Sequence, residues 1–202
     1  MQRRTQHQRR ADTERRVLDA AIELIARNGS RAISLAEVGR LAGYSRGIVN
    51  HQFGSRARLL EAVVRDAQQF DVPDTGETGL DRIGALVSTY VARLRQRGAT
   101  GRAFLLLWAE AVGADPVLAP LFAERDAWFR GLLTDYLRAG IDDGSVRPDV
   151  DPESVALALV GLVRGVAMQV MSTAADTPVD RLAQQVTSLV VRGLTAAGQA
   201  ER

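Results

Sequence analysis

The chain has 202 residues, 46% of them hydrophobic, with no Cys, two His and a formal net charge of +2. That length supports one large or two small domains with cores of their own. The missing Cys excludes disulfides and thiolate metal sites, and His7 and His51 alone make a His-rich metal site a poor expectation.

Every basic residue is Arg, and the charge is unevenly spread: residues 1–70 hold 13 Arg against 7 acids, residues 71–202 hold 13 against 17. Only the first third is expected to approach a polyanion. Arg3, Arg4, Arg9 and Arg10 lie in residues 1–11, which show no apolar periodicity. They read either as an arm along phosphates or a minor groove, or as a solvated tail. No apolar run follows these arginines, so no secretory signal is expected and the cytoplasm is the expected location.

Asp12 or Thr13 can open a first helix reaching Asn28, with Gly29 as its stop. Val17, Ala20, Ala21, Leu24 and Ile25 give it one buried face. Ser34 and Glu37 fit a capping box for a second helix, on which Leu35, Val38, Leu41 and Ala42 share a face. Gly43 suits a left-handed C-cap. Ser45 can cap a third short helix through Phe53, Gly54 ends it, and Ser55 can cap a fourth over residues 56–69 that buries Leu59, Leu60 and Val63. Leu41, Val49 and Phe53 read as the small core that fixes the angles between these helices.

Two short helices joined by a Gly-containing turn form a helix-turn-helix, whose second helix enters the DNA major groove. On that helix Arg46 can read guanine O6 and N7, Asn50 and Gln52 can read adenine N6 and N7, and Gly47 permits close backbone approach. Ser34, Tyr44, Ser45 and Arg56 are placed for phosphates through hydroxyls, charge and helix N-termini.

Ala42-Gly43-Tyr44-Ser45, Gly47, Asn50-His51-Gln52-Phe53 and Ser55-Arg56 together resemble the DNA-binding core of the tetracycline-repressor (TetR) family of bacterial transcriptional regulators. Asn50, Gln52 and Arg56 depart from the usual Tyr, His and Lys, which bears on the operator sequence more than on the fold. The resemblance implies that Arg46, Gly47, Asn50 and His51 face the groove. It also implies an all-α protein: a three-helix DNA-binding domain with a fourth connecting helix over residues 1–70, and a helical ligand-binding and dimerisation domain over residues 71–202.

Pro73, Gly76 and Gly79 mark the connection between the two. Further helices are expected from Leu80 to near Gly98, from Ala103 to Val112, from Pro116 to Gly140, from Pro152 to about Thr173 and from Val179 to Ala197, with a turn at Asp142-Asp143-Gly144. The helix after Pro152 is apolar nearly all round. A membrane span with Gly161 and Gly165 on a packing face is disfavoured, because Arg164 and Gln169 interrupt a run already too short. Coverage by a second subunit is the preferred reading, with a plain intrachain core as the alternative. By resemblance the last two helices pair with those of a second copy. The seam would use Ala158, Gly161, Leu162, Gly165, Val186, Leu189, Val190 and Leu194.

Tyr90, Phe104, Trp108, Trp128, Tyr136, Met168 and Met171 can either fill a helical core or, by resemblance, enclose an effector pocket. Arg164 could meet an anionic ligand and Glu110 a cationic one, or the two could pair with each other or point outward. With no Gly-rich phosphate loop after a strand and no carboxylate–His cluster, an enzyme is not expected, nor a cofactor. The leading expectation is a dimeric repressor released from a palindromic operator by a small molecule. The alternative is a DNA-binding regulator controlled by a protein partner, or an activator, without a small-molecule ligand.

Overall fold

The computed structural model describes residues 6–196, apart from 68, 70, 74, 97 and 174–176. Its described residues fold into α-helices α1 (Gln6–Asn28), α2 (Leu35–Ala42), α3 (Arg46–Phe53), α4 (Arg56–Ala67), α5 (Gly79–Ala92), α6 (Gly98–Val112), α7 (Leu118–Asp142), α8 (Pro152–Ser172) and α9 (Val179–Leu194), with short 3-10 turns at Ser30–Ala32 and Arg93–Gln96. The only extended pairing among them is one isolated antiparallel bridge, Val146 with Thr195.

The helices start and stop where local chemistry dictates. Ser34 Oγ accepts the Glu37 N–H (3.2 Å), Ser45 Oγ that of Ile48 (3.3 Å), and Ser55 Oγ that of Arg58 (3.2 Å). Each satisfies a donor that the first turn leaves orphaned. Gly43 closes α2 at φ 78°, a left-handed conformation that a side chain would strain. Asp115 Oδ1 accepts from both Val117 and Leu118 and so opens α7 (3.0 Å each). At α5 a complete capping box joins Thr78 and Asp81. Several bounds differ from the expected ones. The first helix already runs from Gln6, so Arg9 and Arg10 are helical, whereas Arg3 and Arg4 lie outside the described residues. The helix expected from Ala103 begins at Gly98, and α7 passes Gly140 to end at Asp142.

Packing divides the chain into two units, and the division departs from a simple cut at residue 70. Residues 98–122 join the first unit with the N-terminal helices, and residues 123–202 join the second with residues 70–97. In the first unit Val17, Ile25, Val38, Val49, Leu59, Leu60 and Val63 are fully or nearly fully buried, and α6 adds Ala103, Phe104 and Leu107 to the same core. Phe104 meets Phe122 with ring centroids 5.3 Å apart. Leu41, expected in this core, is instead 40% exposed, because α2 turns Val38 inward and leaves Leu41 on its flank.

In the second unit α5 lies against α8 and α9. A Cβ on Gly84 would already touch Val191 Cγ2 (3.3 Å), which shows how near α9 comes to α5. By length and composition α8 is apolar enough to cross a membrane, and a third of that window is buried within the structure. Its inward stripe is Ala156, Leu159, Val160, Val163 and Ala167.

Candidate nucleic-acid interface

The α2–turn–α3 geometry rests on one close approach. A Cβ on Gly39 would lie 2.9 Å from the Tyr44 carbonyl and 3.2 Å from Val49 Cγ2, so only glycine lets the turn fold back this tightly. Val49 and Phe53 then anchor α3 inward, and Tyr44 packs against the same core. What α3 turns outward is Arg46, Gly47, Ile48, Asn50 and His51, all exposed, with Gln52 half-buried. Ser45, Gly47, Ile48, His51 and Gln52 line an open concavity of about 550 Å³, together with Arg10 and Thr13 from α1.

Structure places the expected DNA-binding residues unevenly. Ser45, Gly47, His51 and Gln52 converge on this concavity, whereas Arg46 and Asn50 are exposed on the same short helix outside its lining. Ser34 is exposed at the N-terminus of α2. Gln52 Nε2 donates to Glu14 Oε2 (3.0 Å), which ties the recognition helix to α1. Thr13, expected only as a helix start, also joins the concavity. The signal that could have found it is the helical spacing from Arg10, which an early helix start makes visible.

Arg56 has its partners within the protein. Its guanidinium turns inward, donating from Nε to the Ile33 carbonyl (3.2 Å) and from Nη2 to that of Ser30 (2.5 Å). The Arg56 fork thus supplies a donor to the Ile33 carbonyl and shares the Ser30 carbonyl with the Ile33 N–H (3.2 Å). Arg56 therefore braces this turn from within the protein.

Glu110 also has its partner within the protein. On α6 its Oε1 accepts the Ser30 N–H (2.9 Å), and its Oε2 accepts the Ser30 hydroxyl. Ser30 is only 1% exposed, so both its donors require an acceptor, and Glu110 is committed to them rather than to a cationic ligand. On α1 and α4, Arg15 joins Asp19 and Asp66 (2.7 Å to Asp66), and these carboxylates, Asp19 first, raise the pKa of its guanidinium further.

Of the remaining candidates, Phe104 and Trp108 belong to the first unit's core. In the second unit Arg164 is buried on α8 and pairs with Asp126 of α7 (2.6 Å from Nη1 to Oδ2), so its charge is met inside the protein, and not by Glu110. Tyr90 lies 6.2 Å from Phe129, centroid to centroid. Trp128 is 47% exposed and carries the Arg125 guanidinium 4.3 Å over its ring. Met168 is also outward, and Met171 half-buried.

The expected seam residues divide as well. Ala158 and Gly161 are exposed; Gly161, Leu162 and Gly165 line an open apolar groove with Val166, Gln169 and Leu182. Leu157 (59%) and Leu189 (67%) are also outward. Val186, Val190 and Leu194 are buried inside the unit and are core positions, not seam residues.

A helix-turn-helix with an outward second helix, followed by an all-α second unit, defines a DNA-binding transcriptional regulator of the helix-turn-helix class. Residues 17–63 match the family described as bacterial regulatory proteins, tetR family, and residues 79–195 match the C-terminal domain of BetI-type transcriptional repressors. The chain belongs to the TetR family of transcriptional regulators and is a regulator, not an enzyme.

Among its relatives is the transcriptional repressor KstR2 of Rhodococcus jostii, 27% identical over 185 residues that cover 89% of this chain and 90% of the relative. The regulator BetI of Rhizobium meliloti is 27% identical over 157 residues, covering 74% and 73%. Among solved structures, a transcriptional regulator from Saccharomonospora viridis in complex with choline superposes with a TM-score of 0.74 at 21% identity, covering 92% and 98%.

Proposed function

We propose that this regulator binds a palindromic operator as a homodimer and is released from it when its second unit binds a small molecule. The observation that carries the dimer is the open apolar face of α8 and α9. Leu157, Ala158, Gly161, Leu162 and Gly165 lie along one side of α8, with Leu182 and Leu189 on α9 beside them. Exposed leucines beside small residues that let helices approach form a face an isologous two-fold contact would bury. Two recognition helices would then reach successive major grooves about 34–36 Å apart, or a multiple of that.

Arg46, Asn50 and His51 supply base-edge donors and acceptors, while Ser34, Ser45 and Arg10 supply phosphate contacts. For the effector, TetR-family regulators bind small molecules, and the Saccharomonospora viridis structure holds choline. Glu110 and Arg164 are satisfied within the protein, so neither needs a ligand as its partner. Tyr90, Trp128, Met168 and Met171 remain the proposed effector-side residues of the second unit. An effector releases DNA only if it binds one spacing of the two heads better than the other.

The test is selection of source-genome fragments by the purified protein at several salt concentrations. Enrichment of a short inverted repeat, with affinity falling steeply as salt rises, is expected. Weak binding indifferent to sequence would refute the proposal.

A further inference from the structure

On α3 the inward positions are Val49 and Phe53, yet a second large apolar side chain, Ile48, is 44% exposed. Nothing local favours isoleucine there. Isoleucine is a poorer helix former than Arg, Lys, Gln or Glu, and an exposed apolar side chain forgoes burial. Ile48 lines the concavity of Arg10, Ser45, Gly47 and His51, so it forms an apolar spot rimmed by donors and a positive charge. That arrangement matches one feature of the major groove. The thymine 5-methyl group is the apolar knob on an otherwise polar floor, and apolar side chains read it by contact.

Resting on the assignment of α3 as the recognition helix, we propose that Ile48 is a specificity-determining residue that reads the 5-methyl group of one thymine in each half-site. Gly47, with no side chain beside it, leaves the isoleucine room to reach the base edge, and a Cβ there would meet only Ser45 Oγ, at 3.7 Å. Ile48 thus discriminates thymine from cytosine without a hydrogen bond, whereas the polar residues of α3 read other positions.

The experiment takes the operator recovered by fragment selection and replaces each thymine in turn with deoxyuridine, which removes the methyl group and leaves every hydrogen-bonding atom in place. Wild type and Ile48→Ala are titrated against each duplex. Wild type is expected to lose about fourfold in affinity at a single thymine per half-site, the value of one buried methyl. The Ile48→Ala variant, altered at an exposed position and checked by an unchanged melting curve, is expected to bind the methylated and unmethylated duplexes equally. An equal deoxyuridine penalty in both proteins, or no penalty anywhere in wild type, overturns the proposal. Comparing the two proteins on the same duplex cancels any change in DNA stiffness. Failure to recover an operator at all is a different result: it defeats the sequence-specific regulator and this proposal with it.

Discussion

Replacing Glu110 with Ala tests whether α6 braces the DNA-binding head. Ser30 is almost fully buried, and its N–H and hydroxyl both donate to Glu110, while its carbonyl is taken by Arg56. A buried donor left without an acceptor costs about 1–3 kcal/mol, and bonds to a charged group lie toward the upper end. Because Glu110 is half-buried rather than sealed, water entering the vacated space recovers part of the loss, leaving a net destabilisation of about 2–3 kcal/mol. For a chain of this length that lowers Tm by about 5–10 °C. Glu110→Gln keeps an acceptor for the Ser30 amide and should lose about half as much. Hydrogen exchange at the Ser30 amide gives a local readout: protection should fall in Glu110→Ala and be largely restored in Glu110→Gln. A double-mutant cycle with Ser30→Ala should show the two changes to be non-additive. A Glu110→Ala protein whose Tm and Ser30 protection match wild type would refute the brace.

Gly79→Ala should abolish folding of the second unit, because its Cβ would fall 2.3 Å from the Gly140 nitrogen and 2.4 Å from the Tyr136 carbonyl, both backbone atoms. By contrast Gly131→Ala, within α7 and with nothing inside 4 Å, should stabilise by about 0.5–1 kcal/mol; thermal melts of the two variants decide this. Leu157→Glu on the open face of α8 should give monomers by sedimentation while retaining the far-UV spectrum, and an unchanged dimer would place the seam elsewhere. Hydrogen bonds from Thr78, Ser145 and Ser154 hold the carboxyls of Asp81, Asp143 and Asp151 below their ordinary value of 3.8. With folded pKa values below unfolded ones, these groups favour folding above that value, and the contribution is lost as pH falls through the folded values. Acid titration of stability should therefore steepen below about pH 4, less so in Asp143→Asn; identical acid profiles would argue against that carboxylate.

The local rules were legible because they act within a few residues. Ser34, Ser45 and Ser55 cap the helices they precede, and Gly29, Gly43, Gly54 and Gly144 take positive φ at the stops and turns where they were expected. Long-range partnership was less legible. The stripe of Phe104, Leu107 and Ala111 announces that α6 buries a face, but an apolar stripe does not name the face that receives it. Packing gives α6 to the N-terminal unit, although the family matches divide the chain between residues 63 and 79.

The same limit explains the charged candidates. A lone Glu or Arg in an apolar run must meet an acceptor or donor somewhere, since an unpaired buried charge is too costly to persist. Sequence states that requirement without saying whether protein or ligand meets it. For Glu110 the answer is Ser30, 80 positions away; for Arg164 it is Asp126, 38 positions away; for Arg56 it is a turn carbonyl 26 positions away. All three partners lie beyond any helical period, so no periodicity could have found them. In each case an internal partner removes the reason to invoke an external one. The residues left without such an internal reason are the exposed ones of α3 and the open leucines of α8 and α9, and there we propose the DNA and the second subunit.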